Sequence, residues 1–199
     1  MHPRVAKQII DEGSWCDDDV VQEYFAGVLA ASRSESADDR GAMWASVIAG
    51  LSAYQVRTHY VAYRALRELG RMRTPPPLLG LHEQRQAHHI YLPGDEYAVA
   101  LGLDDLGKAQ GIATHALVGL RRVGLIGWQY AAASPPVLRF PAAHQGVFGL
   151  EIEPETPGIE LYLWGNGIEF RSAEQIFFEN EEAFEIDEPV PPIPGAMVA

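Results

Sequence analysis

The chain has 199 residues, of which 47% are hydrophobic, 21% are charged and 10% are aromatic, and its formal net charge is −12. This composition is typical of a folded globular protein and excludes a disordered, collagen-like or disulfide-stapled chain. We expect no membrane span, because no apolar stretch approaches the roughly 20 residues that cross a bilayer. We expect no signal peptide, because the N-terminal residues contain no apolar h-region before an A-x-A-like cleavage site. Cys16 is the single cysteine, so an internal disulfide is excluded and a cytoplasmic location is expected.

The charges are distributed unevenly along the chain. Residues Glu151–Glu188 hold twelve carboxylates and one basic residue, which gives this third a net charge of −11. The region Arg57–Arg85 is basic instead, with six arginines and two glutamates. We expect the acidic third either to face solvent or to contact a basic surface, on this chain or on a partner. The arginines expected to form an interaction surface are Arg57, Arg64, Arg67, Arg71 and Arg73.

Residues 1–73 have the hydrophobic spacing of a compact helical unit. Apolar residues recur every four positions after three aspartates, which predicts a helix over residues 17–31. A second helix is predicted around Trp44, and Ser52 and Gln55 form a capping-box pattern that predicts the start of a third. A run of three prolines then marks the end of the unit, because proline interrupts a helix.

Residues 74–187 are predicted to form a winged-helix-like unit. Short helices separated by breaks at Gly102, Gly107 and Gly111 are expected before a longer helix over Gly111–Val123. The segment RRVGLIGW then leads into a β-hairpin. This order of helices and strands is typical of a winged helix. The predicted fold class is therefore α+β, with a helical unit, a small antiparallel sheet and a C-terminal helix.

The remaining segments complete this prediction. Residues 188–199 contain four prolines and are expected to be a disordered tail. A C-terminal helix is predicted over Ile168–Glu182. The predicted strands, each bounded by turn residues, are His89–Leu92, Val137–Phe140, Val147–Ile152 and Ile159–Trp164.

Four segments of the chain follow one another in an order that is also found in a known protein family. They are DDDVVQEYFAGVLAASRSE, MWASVIAGLSAYQVRTHY, ALVGLRRVGLIGW and GIELYLWGNGIEF. In this order the chain resembles the Abi-alpha family of bacterial proteins, which are linked to abortive infection of phage-infected cells. The block Asp17–Ser32 is the distinctive one, whereas the last segment lacks the threonine of the family pattern. The resemblance implies a helical unit, a winged-helix-like unit and a role in phage defence, and it transfers no catalytic residue.

The sequence contains no recognisable catalytic motif. It has no G-x-S-x-G, no phosphate-binding G-x-x-x-x-G-K-[ST] and no G-x-G-x-x-G. His82, His88 and His89 are the one cluster that suggests a metal-dependent hydrolase, but their spacing is not H-E-x-x-H. We therefore expect a protein that is not an enzyme, with no catalytic, cofactor-binding or metal-binding residues and no cofactor.

DNA binding is the alternative that the predicted winged helix raises. A net charge of −1 over residues 95–130 disfavours it, as does the position of two arginines near the end of the recognition helix. The candidate nucleic-acid contacts are Lys108, Gln110, Thr114, His115, Arg121 and Arg122.

The leading hypothesis from sequence is a cytoplasmic protein-interaction module of the Abi-alpha type, possessing a protein partner or associating with itself. A winged-helix DNA-binding regulator is the alternative, and a metal-dependent hydrolase is the third possibility. No membrane partner is expected.

Overall fold

A computed structural model of the chain describes residues 3–13, 17–32, 40–134, 138, 147–178 and 190–198. The strands of the described residues are β1 (Ile90–Pro93), β2 (Ile126–Ala133), β3 (Gly149–Pro154) and β4 (Met197–Val198). The helices of the same residues are α1 (Pro3–Gly13), α2 (Asp19–Ala31), α3 (Arg40–Ala49), α4 (Ala53–Arg71), α5 (His82–Ala87), α6 (Gly94–Ala100), α7 (Leu106–Arg122), α8 (Thr156–Gly165) and α9 (Gln175–Phe178).

The strands form one antiparallel sheet in the order β2-β3-β1-β4. Ile90 pairs with Ile152 and Leu92 pairs with Leu150 in the centre of the sheet, where these apolar side chains are buried. The predicted α+β class is confirmed by this combination of helices with a small antiparallel sheet. Within the described ranges, none of the helices combines the length and apolarity that a bilayer crossing requires.

The first helices begin where their capping residues predict. The Val21 amide donates to Asp18 Oδ1 over 3.2 Å at the start of α2. At the start of α4, the Gln55 amide donates to Ser52 Oγ and the Ser52 amide donates to Gln55 Oε1, which completes a capping box. Both predicted helix starts are confirmed, because these side chains satisfy backbone N–H groups that have no partner inside the helix.

Helix α4 is the centre of the fold. Twelve of its nineteen residues are buried, and it packs against α2, α7, α8, α9, β1 and β4. Buried residues from both sides of residue 73, including Leu66 and Leu117, belong to one hydrophobic core. The boundary at residue 73, between predicted units 1–73 and 74–187, stays a prediction from the sequence.

A buried hydrogen-bond network joins α2, α4 and α8. His59 Nδ1 lies 2.9 Å from the Tyr24 hydroxyl, and His59 Nε2 donates to the Gly158 carbonyl oxygen over 3.0 Å. Because the carbonyl can only accept, Nε2 carries the proton and Nδ1 accepts from the hydroxyl. Burial lowers the pKa of His59 to about 3, so the imidazole is neutral in the folded protein.

Helix α7 is longer than the sequence predicts. The predicted glycine breaks at Gly107 and Gly111 are wrong, because both residues lie inside one continuous helix. Asp105 caps it by accepting from the amides of Gly107 and Lys108. The predicted break at Gly102 is confirmed, because α6 ends at Ala100 and Gly102 has a φ of 68°, which favours glycine.

The predicted strand Ile159–Trp164 is wrong, because these residues form α8. Apolar residues on every side of α8 are buried, so the sequence lacks the period that would distinguish a helix from a buried strand. The predicted helix Ile168–Glu182 is also largely absent, since α9 is the one helix among residues 168–178. Residues 179–182, and Val137–Phe140 apart from Leu138, lie outside the described residues.

Residues 190–198 pack against the body of the protein, in contrast to the expected disorder of the tail. Val190 and Ile193 are buried, and β4 pairs with β1. Arg64 donates to the Val190 carbonyl oxygen over 2.7 Å, and the Gly195 amide donates to Glu96 over 2.7 Å. Proline content alone therefore misleads, because the apolar residues between the prolines supply enough contact to order this segment.

We predict that His59 makes the protein sensitive to mild acid. Its pKa in the folded state lies below the unfolded value of about 6.5, so its contribution to stability is complete above pH 6.5 and is lost as the pH falls towards about 3. The His59→Gln variant removes this titration. The difference in free energy of unfolding between the wild type and His59→Gln should fall by about 1.4 kcal/mol for each pH unit below pH 6. Urea titrations at a series of pH values measure this difference.

Thr58→Val is the matched control, because Thr58 is the buried neighbour of His59 in α4 and has no group that titrates in this range. It should change the free energy of unfolding by the same amount at every pH, so that the pH dependence stays that of the wild type. Parallel pH profiles for the wild type and His59→Gln would contradict the prediction.

Candidate functional site

The candidate site is the solvent-facing side of α7 together with β2. The inner face of α7 packs against α4, α6 and β2 through the small buried side chains of Ala109, Ala113 and Ala116. Because this face is narrow and apolar, the opposite face of the helix is left to solvent. The exposed positions of α7 are Gly107, Lys108, Gly111, Thr114, His115, Val118 and Arg122.

Four of the predicted nucleic-acid contacts, beginning with the exposed Lys108, lie in the first three turns of α7. Gln110 is half-buried and donates through Nε2 to the Ala132 carbonyl oxygen of β2 over 3.4 Å. Thr114 is exposed, and its hydroxyl donates to the Gln110 carbonyl oxygen over 2.9 Å. His115 is exposed with Nε2 at 3.5 Å from the amide nitrogen of Gln55. The hydroxyl and the imidazole therefore reach solvent side by side.

The end of α7 forms a second part of the same surface. The guanidinium carbon of Arg121 lies 3.4 Å from the centre of the Trp128 ring, which is a cation–π contact. Trp128 is 82% exposed and Val118 is 51% exposed. Arg122 is exposed beside them. The sequence alone does not indicate this exposure of Trp128, which lies in β2 with one ring face against Arg121.

The distribution of charged residues around α7 has a feature that was not identified from the sequence. Residues 106–150 contain no Asp or Glu, while the remaining 154 residues carry a net charge of −16. The wider window 95–130 hides this feature because it includes the four carboxylates of Asp95, Glu96, Asp104 and Asp105. The basic residues of 106–150 are Lys108, Arg121, Arg122 and Arg139. Counting charges from the start of α7 to the start of β3 would have found the segment.

The arginine-rich region serves mainly to hold the fold together. Arg57 pairs with Asp18 over 2.9 Å, and Arg64 pairs with Glu68 over 2.9 Å. Arg67 is buried, with 5% of its surface exposed. Of the five arginines predicted to form an interaction surface, Arg71 and Arg73 are the exposed ones.

Part of the acidic third pairs with bases of the same chain. Arg85 is buried and contacts Glu155 Oε2 at 3.1 Å, and it also donates to the Leu79 carbonyl oxygen. Arg40 contacts Glu169 at 3.2 Å. Some carboxylates of the acidic third therefore contact basic residues of the same molecule, which is one of the two basic surfaces that the sequence analysis allowed.

The three candidate metal-binding histidines have separate partners. His82 Nδ1 lies 3.3 Å from an Arg85 nitrogen, and His88 Nδ1 donates to the Gln84 carbonyl oxygen. His89 is buried, with Nδ1 at 3.1 Å from Glu151. In the described parts of the chain, no group of three or more His, Cys, Asp or Glu side chains is arranged to hold a metal ion.

A cleft of about 660 Å³ lies between the start of α4, the end of α6 and residues 190–191. Its polar lining includes the Asp18–Arg57 pair, and its apolar lining includes Val99 and Leu101. The two charges neutralise one another, so the cleft has no net charge from this pair.

No protein-family model, curated protein or solved structure matches this chain. The function must therefore be inferred from the geometry and charge of the molecule itself. The geometry and the charge distribution both favour the surface formed by α7 and β2 as the functional site.

Proposed function

We propose that the chain is a non-enzymatic winged-helix module that binds duplex DNA through the exposed face of α7 and the β2–β3 hairpin. The order β1-α6-α7-β2-β3, with β3 between β2 and β1, supports a winged-helix arrangement. In this arrangement α7 is the recognition helix, and the hairpin lies beside it.

The absence of carboxylates from residues 106–150 is the observation that carries this proposal. A DNA-binding surface must bring cations to phosphates and keep carboxylates away from them. The segment contains α7, the proposed recognition helix, and β2, and the two carboxylates that follow in β3, Glu151 and Glu153, are buried. A recognition helix and a hairpin are the elements that contact DNA in this class of fold. The net charge of −16 on the other residues would repel DNA elsewhere and so turn this face towards it.

The side chains of α7 fit distinct roles in such a complex. Thr114 and His115 are exposed in the middle of the helix and offer hydrogen-bonding groups for base edges. Lys108 and Arg122 are exposed towards the two ends and suit phosphate contacts. Gln110 holds α7 to β2 and would keep the helix and the hairpin in one orientation.

We predict that the wild-type protein retards duplex DNA at about 50 mM salt. The double variant Lys108→Gln/Arg122→Gln should bind more weakly, because two phosphate contacts are lost. The slope of log K against log salt concentration should become shallower by about 2. Fluorescence anisotropy across a salt series measures both quantities.

The double variant Arg71→Gln/Arg73→Gln is the charge-matched control, because both arginines are exposed but lie at the end of α4. It should bind as the wild type does. Failure of the wild type to bind at low salt, or equal losses in both double variants, would refute DNA binding by α7.

Protein interaction in the context of phage defence is a second candidate. The observation in its favour is that two apolar side chains of this region are exposed, Val118 on α7 and Trp128 on β2. Arg121, whose guanidinium contacts the Trp128 ring, adds a positive charge, and the acidic third of a second copy offers complementary charge. The resemblance to the Abi-alpha family supplies the proposed biological setting.

This candidate predicts self-association in low salt, which Trp128→Ala should reduce. Phe178→Ala is the matched control, because Phe178 is 70% exposed but lies in α9. Static light scattering at low and high salt measures the mass. A monomer in both conditions would remove self-association through this region.

A further inference from the structure

Several helical glycines of this protein lie where another part of the chain leaves no room for a side chain. A Cβ atom on Gly27 would collide with the Gly165 carbonyl group, and one on Gly70 would collide with the Phe177 ring. A Cβ atom on Gly119, which is also in α7, would collide with the Gln55 amide. The fold uses these glycines where two elements approach more closely than any side chain allows.

No close contact of this kind requires a glycine at position 111. No heavy atom beyond its own chain neighbours and helix backbone lies within 4 Å of the position where its Cβ atom would stand. The positive φ angles of the described residues occur at Gly102, Gly124 and Gly167, so the backbone of Gly111 suits any residue. Glycine is nevertheless the least favourable residue after proline in a helix interior. Alanine at this position would therefore be expected to stabilise α7.

The neighbouring glycine does not share this property. A Cβ atom on Gly107 would stand 3.3 Å from Asp105 Oδ1, the atom that caps the helix. Gly107 therefore has a local structural role, which leaves Gly111 as the unexplained glycine of α7.

The position of Gly111 connects it with the proposed DNA contacts. It lies three residues after Lys108, three before Thr114 and four before His115, which are all exposed. Residues three and four apart are neighbours on one helix face. The missing side chain of Gly111 therefore opens a shallow gap among the groups that would contact DNA.

We infer that Gly111 is a positioning residue for duplex DNA, which lets the α7 backbone approach the base edges in the major groove. This inference rests on the proposed function. An α-helix with its side chains is about 10–12 Å wide and the major groove is about 12 Å wide, so the fit is tight. An added methyl group would hold the helix back by about 1.5 Å. Hydrogen bonds from Thr114 and His115 to base edges would then exceed their usual length of about 3 Å.

The test is a size series at this position, Gly111→Ala and Gly111→Leu. Both residues are good helix formers, so the melting temperature of each variant should equal or exceed that of the wild type. The probe is a duplex that the wild-type protein selects from a random-sequence library, and a bulk random duplex is the comparison.

Affinity for the selected duplex should fall about tenfold for Gly111→Ala and further for Gly111→Leu, because overfilling a close contact has a cost of this order. Affinity for the bulk random duplex should change little, since non-specific binding depends on phosphate contacts. Gly50→Ala is the control, because its Cβ atom would meet only ordinary contacts away from α7. It should leave both affinities unchanged.

The outcomes separate this inference from the function on which it rests. A wild-type protein that binds neither duplex would overturn both. Wild-type binding that survives Gly111→Leu, or a selection that enriches no sequence, would overturn the role of Gly111 alone. A lower melting temperature for Gly111→Ala would also overturn it, because the fold itself would then require the glycine.

Discussion

The hydroxyl group of Tyr63 is the contact on which the arrangement of the candidate site depends. It donates to the carbonyl oxygen of Leu125, which precedes β2, and accepts from the amide of Glu155, which follows β3. Both ends of the β2–β3 hairpin are thus attached to one buried side chain in the middle of α4. Burial raises the pKa of the Tyr63 hydroxyl, so it keeps the proton that it donates.

This attachment, together with the packing of α4 against the inner side of α7, fixes α7 and the hairpin to the same central helix. Residues 106–134, which include α7 and β2, contain no carboxylate, and the two carboxylates of β3, Glu151 and Glu153, are buried. The arginines of the 57–85 region contribute less to the surface formed by α7 and β2, because Arg57, Arg64 and Arg85 pair with carboxylates of the chain itself.

Much of the fold follows from local sequence signals, and the errors have identifiable physical causes. The capping box at Ser52 and a helix start at the three aspartates, where Asp18 is the cap, are short-range patterns and were predicted correctly. Helix α8 was predicted as a strand because its all-round burial removes the helical period. The six candidate contacts on α7 were named from sequence, but the exposure of Trp128 was missed, because a tryptophan in a strand does not reveal which face is covered. The position of Gly111 on the outer face became visible only once α7 was seen to be continuous.

The most direct measurement is a map of backbone amide chemical shifts during titration with duplex DNA. The account predicts that the shifts concentrate in α7, with the largest changes around Gly111, Thr114 and His115, and extend into β2. Amides around Arg71 and Arg73 should stay unchanged. Shifts that cluster at those arginines, or a spectrum that DNA leaves unaltered, would contradict a binding face built on α7.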